Sequence, residues 1–283
     1  MKMYRLAVFA ILLTIGACGR TGAPRAPAAR TVRNVPAPFT AGPEVFDSEA
    51  SHIQGIAASK EALYLSQDRH LAKVDWTGKL LASRAVPNHT GDLCWYKGEL
   101  YTTLALAGND TVAPLADPTS GRGKIQVYDK DLQLVREAEV DRRVDGITCL
   151  DGVLYVGMGS LTQPSKDPHR VNLFGRFDAK TLKEIGPRTE FDYGYETRYG
   201  VQNITTDGKH IYATFYAVKG APPVVEFDKD FHVLRTHSLK ANQGFDVMPK
   251  SLAGRKLLFI VAKTIKSKSP ESVSCSLDYY PPI

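Results

Sequence analysis

Asp145–Gly157 reads DGITCLDGVLYVG: an apolar strand led by Gly146, a short turn, and a second strand centred on Tyr155. The phrase returns as QGIAASKEALYLS at Gln54–Ser66 and as VQNITTDGKHIYATF at Val201–Phe215. ELYTT around Tyr101 and LLFIV around Phe259 repeat its second half. In each copy a third apolar run follows and ends on an aspartate, at Asp75, Asp129, Asp178, Asp228 and Asp278. These aspartates lie 54, 49, 50 and 50 residues apart. A polar turn and a fourth run complete the unit.

Runs of four to seven β-branched or aromatic residues between polar clusters read as short strands, and nothing after Ile15 reads as a long amphipathic helix. Four short antiparallel strands in a unit of this length are the mark of a β-propeller blade. The sequence therefore predicts an all-β, five-bladed β-propeller, with six blades as the fallback should a long loop hide another unit. The first four aspartates open the turns DWTGK, DKDLQ, DAKTL and DKDFH, where a carboxylate can accept from the following amides. The fifth unit stops after its third strand, at Asp278-Tyr279-Tyr280-Pro281. Thr31–Phe39 precede the first unit and are expected to supply the missing outer strand, closing the ring and covering its open edge.

The chain has 283 residues, Lys+Arg 36 against Asp+Glu 30, and a formal charge of +6. Residues 1–41 hold six of the basic residues and no acidic one, so 42–283 carry thirty of each sign. A neutral body with sparse basic clusters excludes a nucleic-acid platform. Met1–Arg5 is a short positive segment and Leu6–Ile15 an apolar run of ten, too short to span a bilayer and right for a signal-peptide core. Ile15-Gly16-Ala17-Cys18 resembles the lipobox of bacterial lipoproteins. That resemblance implies cleavage after residue 17, lipidation of Cys18, and a membrane partner held through the acyl chains. Gly19 in place of Asp leans toward the outer membrane, facing the periplasm or the cell surface. Residues 18–41, rich in Pro, Ala and Arg, read as a tether and 42–283 as the propeller, expected to be a monomer.

Each inner strand is expected to start with polar residues at one mouth of the central channel. These starts are His52 with Gln54, His89 with Asp92, Asp145, Gln202 with Asn203, and Gln243 with Asp246. The loops between second and third strands should open on the same face, and four of the five are long. They bring Arg69, His70, His169 and Arg170, while Tyr195 comes from the 188–201 connection. Such a rim suits a small polar, anionic or carbohydrate ligand, bound by Gln54, Asp92, Gln202, Asn203, Gln243 and these loop residues. A ring of structural hydrogen bonds between blades would use the same residue types. Cys94 and Cys149, at equivalent positions in adjacent blades, read as free buried thiols. The absence of CxxC and HExxH gives no support to a structural zinc site.

The Gly-led strand followed by a Leu-Tyr strand resembles the NHL-repeat and gluconolactonase/regucalcin propellers. That resemblance implies a divalent cation, Ca²⁺ or another, held in the channel by Asp145 and Asn203, with Asp92 and Asp246 as further oxygen ligands. Gln54-Gly55 and Asp145-Gly146-Ile147-Thr148 also resemble the five-bladed glutamine cyclotransferases, with Asp145 in place of a Glu and only Trp76 and Trp95 as tryptophans. Two functions follow. One is a ligand-binding lipoprotein; the other is a metal-dependent hydrolase of the lactonase or esterase kind, or a cyclotransferase-like enzyme, using Asp145 with His52 or His89 as general base.

Overall fold

The computed structural model describes residues 40–41, 53–67, 69–106, 122–158, 169–217, 224–239, 241, 244–254, 257–268 and 271–281. The propeller belongs to a compact unit running Thr31–Ile283, distinct from Met1–Arg30. Among the described residues, no helix is long and apolar enough to cross a membrane.

The chain opens with β1 (Thr40–Ala41) and then winds five antiparallel blades, which among the described residues form four sheets. Blade 1 is β2 (Ile53–Ala58), β3 (Leu63–Gln67), β4 (His70–Val74) and β5 (Leu80–Ala85). Blade 2 is β6 (Thr90–Tyr96), β7 (Glu99–Ala105), β8 (Gly123–Tyr128) and β9 (Leu134–Val140). Blade 3 is β10 (Val144–Leu150), β11 (Val153–Met158), β12 (His169–Asp178) and the first half of β13 (Thr189–Thr206). The second half of β13 is the inner strand of blade 4, followed by β14 (Ile211–Ala217), β15 (Val224–Phe227) and β16 (Val233–His237). Blade 5 is β17 (Phe245–Val247), a single helical turn α1 (Lys250–Ala253), β18 (Phe259–Lys268) and β19 (Glu271–Tyr280). The 188–201 segment, expected to be a connection, is therefore mostly strand, and it joins two blades into one seven-stranded sheet.

The N-terminal closure is present. Thr40 and Ala41 pair with Ser276 and Cys275, so β1 is the outer strand of blade 5. Thr31–Phe39 lie outside the described residues.

Five buried clusters sit one at each blade interface. Each depends on the period-2 alternation of a strand, which sends neighbouring side chains to opposite sheet faces. Tyr64 faces blade 2 with Leu93 and Tyr128, Tyr101 faces blade 3 with Ile147 and Phe177, and Tyr155 faces blade 4 with Ile204 and Phe231. Tyr212 faces blade 5, against Phe245 and Phe259. The last cluster joins blade 5 to blade 1 through Ile260, Leu277, Ile53 and Leu65, closing the ring.

The repeat slips by one residue in blade 5. Phe259, expected as the counterpart of Tyr64, packs backwards on blade 4, and Ile260 faces forward in its place. Asp278, expected to end the third strand of the fifth unit, lies inside β19 opposite Val261 and pairs with Lys263 at 2.7 Å. The other four turns are built as the sequence implies. One carboxylate oxygen of Asp75 accepts from the amides of Thr77 and Lys79 at 2.8 and 3.0 Å, and Asp129 and Asp228 repeat the pattern. Asp178 accepts from Thr181 N–H at 2.7 Å. The left-handed residue of these turns is Gly78 in blade 1 but Leu132, Leu182 and Phe231 in blades 2 to 4. Burial of those three side chains holds a backbone conformation that would otherwise select glycine.

Candidate functional site

Blades 1 to 4 share a bulge just after the first residue of the inner strand, at Gln54, Gly91-Asp92, Asp145-Gly146 and Gln202. A bulge leaves one residue unpaired and re-aims its side chain. The inner strands consequently align in levels. At the mouth stand Gln54, Gly91, Asp145 and Gln202. At the next level stand Gly55, Asp92, Gly146, Asn203 and Gly244. Two of the bulges are pinned from the preceding blade. Ser66 donates its hydroxyl to Gly91 O, and Thr103 donates to Asp145 O.

At the second level the channel is crossed. Asp92 of blade 2 accepts from the Ile147 amide of blade 3 at 3.0 Å and from the Ile204 amide of blade 4 at 2.8 Å. Asn203 of blade 4 donates its side-chain amide to Asp92 Oδ1 at 2.6 Å and to Gln54 O of blade 1 at 2.9 Å. Blades 2 and 4 are not neighbours, nor are blades 4 and 1, so these bonds span the ring. Inner strands have one edge without a ladder partner, and Asp92 satisfies two of those orphan amides. Glycine at the same level gives it room: a Cβ on Gly55 would lie 2.5 Å from Asp92 Cα. Burial pushes the Asp92 carboxyl well above the usual carboxylate range, against the Ile147, Ile204 and Leu93 amides and Asn203, which pull it down.

The four oxygen residues implied as cation ligands are therefore engaged separately. Asp92 and Asn203 bind each other and the inner-strand amides. Asp145 faces Arg143 in a two-pronged pair, Nε to Oδ2 at 2.9 Å and Nη2 to Oδ1 at 3.2 Å. Asp246 lies further down the channel, where it accepts from Ala58 N–H and Val247 N–H at 2.7 Å and from the Thr205 hydroxyl. Among the described residues, no three His, Cys, Asp or Glu side chains gather as cation ligands would.

The remaining expected site residues divide as follows. Gln202 is 9% exposed at the mouth beside Asn203, and Gln54 is half-buried there. His89 is half-buried with φ 66°, its carbonyl accepting from Ala105 N–H at 3.2 Å. Arg69 and His70 sit at the turn between β3 and β4, on the mouth side of blade 1. Arg170 is exposed on β12 and pairs with Asp192 at 3.3 Å, and Tyr195 is exposed on β13. His169 is placed by its backbone, opposite Thr197. His52, Gln243 and Cys18 lie outside the described residues, as do residues 107–121, 159–168 and 218–223 of the long loops. Cys94 and Cys149 are free buried thiols. Burial pushes Cys94 up and takes Cys149 to about 12.

Two atoms, one at the mouth and one at the level below, carry an unmet requirement. Gln202 Nε2 is a buried donor with no acceptor among the described residues, and Asn203 Oδ1 is a buried acceptor with no donor. The orientation of Asn203 is fixed, because turning its amide would set oxygen against both the Asp92 carboxylate and the Gln54 carbonyl.

Sequence reasoning missed the far end of the channel. A cavity of about 470 Å³ opens there, where the inner strands end, lined among others by Trp95, Cys94, Cys149, Thr205 and Asp246. The signal available was positional: Cys94, Thr148, Thr205 and Asp246 share one level, pairing with Tyr101, Tyr155, Tyr212 and Ile260.

No family model matches the chain, and no curated protein matches it. Among solved structures, the glutaminyl cyclase of Myxococcus xanthus is similar at TM-score 0.53 and 11% identity, over 87% of this chain and 98% of that one. The chain is a five-bladed β-propeller. The WD40 domain of Neurospora crassa Pan2 is similar at TM-score 0.44 and 8% identity, over 82% and 75% of the two chains. BamB from Moraxella catarrhalis follows at TM-score 0.39 and 12% identity, over 80% of this propeller and 59% of that chain. At 11% identity the likeness to the glutaminyl cyclase speaks for the fold and not for activity.

Proposed function

We propose that this protein is an exported, lipid-anchored propeller that binds a small hydroxyl-bearing ligand, of carbohydrate type, at the mouth of its channel. One observation supports the reading above the others: an unmatched donor, Gln202 Nε2, and an unmatched acceptor, Asn203 Oδ1, stand on consecutive residues above a channel crossed by Asp92 and Asn203. Leaving either buried atom without a partner costs about 1–3 kcal/mol. A hydroxyl both donates and accepts, so a hydroxyl-bearing ligand suits either atom. The crossing also makes the mouth blind, so a ligand rests there rather than passing through. The Cys18 anchor supplies the location, with the residues between it and β1 as the tether. Exposed Arg170 and Tyr195 stay with the rim as outer contacts.

The test is a calorimetric titration of the full chain with neutral mono- and disaccharides, repeated on Gln202→Leu. Saturable binding that weakens at least tenfold in Gln202→Leu supports the reading. No binding, or binding indifferent to that substitution, overturns it. The anchor is tested apart, by whether Cys18→Ala moves the protein from the membrane fraction to the soluble one.

A further inference from the structure

We infer that the cavity at the opposite end of the channel is a second binding site, and that it takes a small ammonium compound with a compact apolar body. It is independent of the mouth, since the Asp92–Asn203 crossing lies between the two.

The walls come from two successive levels of the inner strands. Cys94, Thr148, Thr205 and Asp246 form one, and Ala58, Trp95, Cys149, Thr206 and Val247 the other. Leu93, Met248, Pro249 and Leu257 add apolar surface, and α1 brings Lys250 to the edge. The volume of about 470 Å³ lies within the range of small-molecule pockets.

Asp246 decides the ligand class. The aligned positions in the other blades hold Ala57, Cys94, Thr148 and Thr205, so a carboxylate breaks the repeat at this one place. Its bonds come from neutral groups, the Ala58 and Val247 amides and the Thr205 hydroxyl. Oδ2 receives the Ala58 amide alone among these, which leaves that oxygen lone-pair capacity, and Asp246 lines the cavity. No cation is among the groups that set its proton affinity. The other cavity acid, Asp207, is occupied by the amides of Lys209 and His210 and by the Tyr212 hydroxyl at 3.1 Å. Lys250 reaches toward the turn at Gly208, its Nζ 3.9 Å from where a Cβ on that glycine would stand. Trp95 supplies an indole, stacked on Tyr64 at 4.8 Å, which leaves its second face for the cavity. A carboxylate without a counter-cation beside an indole wall is the chemistry that selects an ammonium group.

The probes are cyclohexylammonium, cyclohexanol and cyclohexanecarboxylate, which share a body and differ in head group. Trp76 and Trp95 are the only tryptophans, and Trp76 lies outside the cavity, bonded to Lys60 O at 3.2 Å. Trp76→Phe in the full chain thus leaves Trp95 as the single reporter. Cyclohexylammonium is expected to change its emission saturably, with at least tenfold lower Kd than either other probe. Asp246→Asn should erase that preference. Leu257→Trp, which fills the cavity from its apolar wall and leaves the Asp246 carboxylate in place, should weaken ammonium binding at least tenfold in calorimetry and decides the matter if Asp246→Asn does not fold. Equal affinity for the three probes, absence of binding by the ammonium, or undiminished binding in Leu257→Trp overturns the inference. Saccharide binding at the mouth plays no part in any of these outcomes.

Discussion

Asn203 of blade 4 donates its side-chain amide to the Asp92 carboxylate of blade 2 at 2.6 Å, joining two blades that are not neighbours in the ring. A small ring brings opposite inner strands within side-chain reach, and this pair uses that closeness to satisfy the orphan edge of blades 3 and 4. The polar residues that mark the mouth in the sequence thus serve two purposes at different depths. Asp92 and the Asn203 amide nitrogen hold the ring, while Gln202 and the Asn203 carbonyl oxygen are left for something else.

Asp92→Ala removes the acceptor for the Ile147 amide, the Ile204 amide and Asn203 Nδ2 at once. Three stranded donors and a small void should cost roughly 3–5 kcal/mol in urea unfolding. Asp92→Asn keeps the shape but sets one NH₂ against another at Asn203. Adding Asn203→Asp restores a donor–acceptor pair with residue 92 but sets an oxygen against the Gln54 carbonyl, so the exchanged double variant should recover part of the loss of Asp92→Asn. Additive losses in the double-mutant cycle would show that the pair is not coupled.

Gly55→Ala tests the closeness itself. The new Cβ would meet Asp92 Cα at 2.5 Å and Leu93 N at 2.8 Å, all backbone, so blades 1 and 2 must separate. The expected loss is roughly 2–4 kcal/mol. Gly98→Ala is the control: its φ is +90° with nothing within 4 Å, and it should cost only the backbone strain, about 1 kcal/mol. Comparable Tm values for the two variants would show that the second level has room for a Cβ beside Asp92.

The count of blades, the turn aspartates and the N-terminal closure could all be read from residue spacing, because each is a local pattern repeated at a near-constant interval. The register of blade 5 could not. Leu257-Leu258-Phe259-Ile260-Val261 is apolar throughout, and a period-2 pattern without polar residues does not say which side chains face forward. The spacing to Asp278 matched the other units although that residue sits mid-strand. At the channel, the sequence put these polar residues at the starts of the inner strands but did not show what each would bond. Arg143, two residues before Asp145, was visible as a neighbour, and the alternation of an extended chain sets the two on one side, where they pair at 2.9 Å. The far cavity was missed because its walls look ordinary one blade at a time and become a ring only after alignment by level.

Glu226 is buried between charged and polar partners: Arg235 Nε at 2.7 Å, His237 Nε2 at 2.9 Å and His210 Nδ1 at 3.0 Å. Glu226→Ala removes a buried carboxylate and leaves those groups facing an empty site, an expected loss of about 3–5 kcal/mol. Arg235 is 60% exposed, so Arg235→Ala should cost under about 1 kcal/mol. Urea midpoints for the two variants check the contrast, and equal losses would place the energy in the arginine instead.

Asp246 gives stability a pH dependence of a particular sign. Burial pushes its carboxyl from 3.8 up to about 6, although Thr205 and the Ala58 and Val247 amides pull the other way. Between those two values the folded protein holds a proton that the unfolded chain has released, so stability should fall as pH rises from about 4 to 6. The change is roughly 1–3 kcal/mol, because the side chain keeps some exposure to the cavity. Asp246→Asn abolishes this part of the profile. The Tm difference between wild type and Asp246→Asn should therefore shift against the wild type over that interval, and a constant difference would refute the assignment.

The edge of β19 makes the sharpest prediction about the termini. Thr40 and Ala41 pair with Ser276 and Cys275, and without them β19 presents an open row of backbone donors and acceptors. An unpaired edge recruits other strands, including the same edge of a second molecule. A chain starting at Thr31 keeps β1 and should remain monomeric and folded. A chain starting at Gly42 loses it and should dimerise or aggregate at concentrations where the longer form does not. Sedimentation of both at matched concentration decides this. Only two residues separate closure from an open edge in the described structure, so if both chains are monomeric with equal Tm, β1 contributes little and the ring is closed by the blade 5–blade 1 cluster of Ile260, Leu277, Ile53 and Leu65.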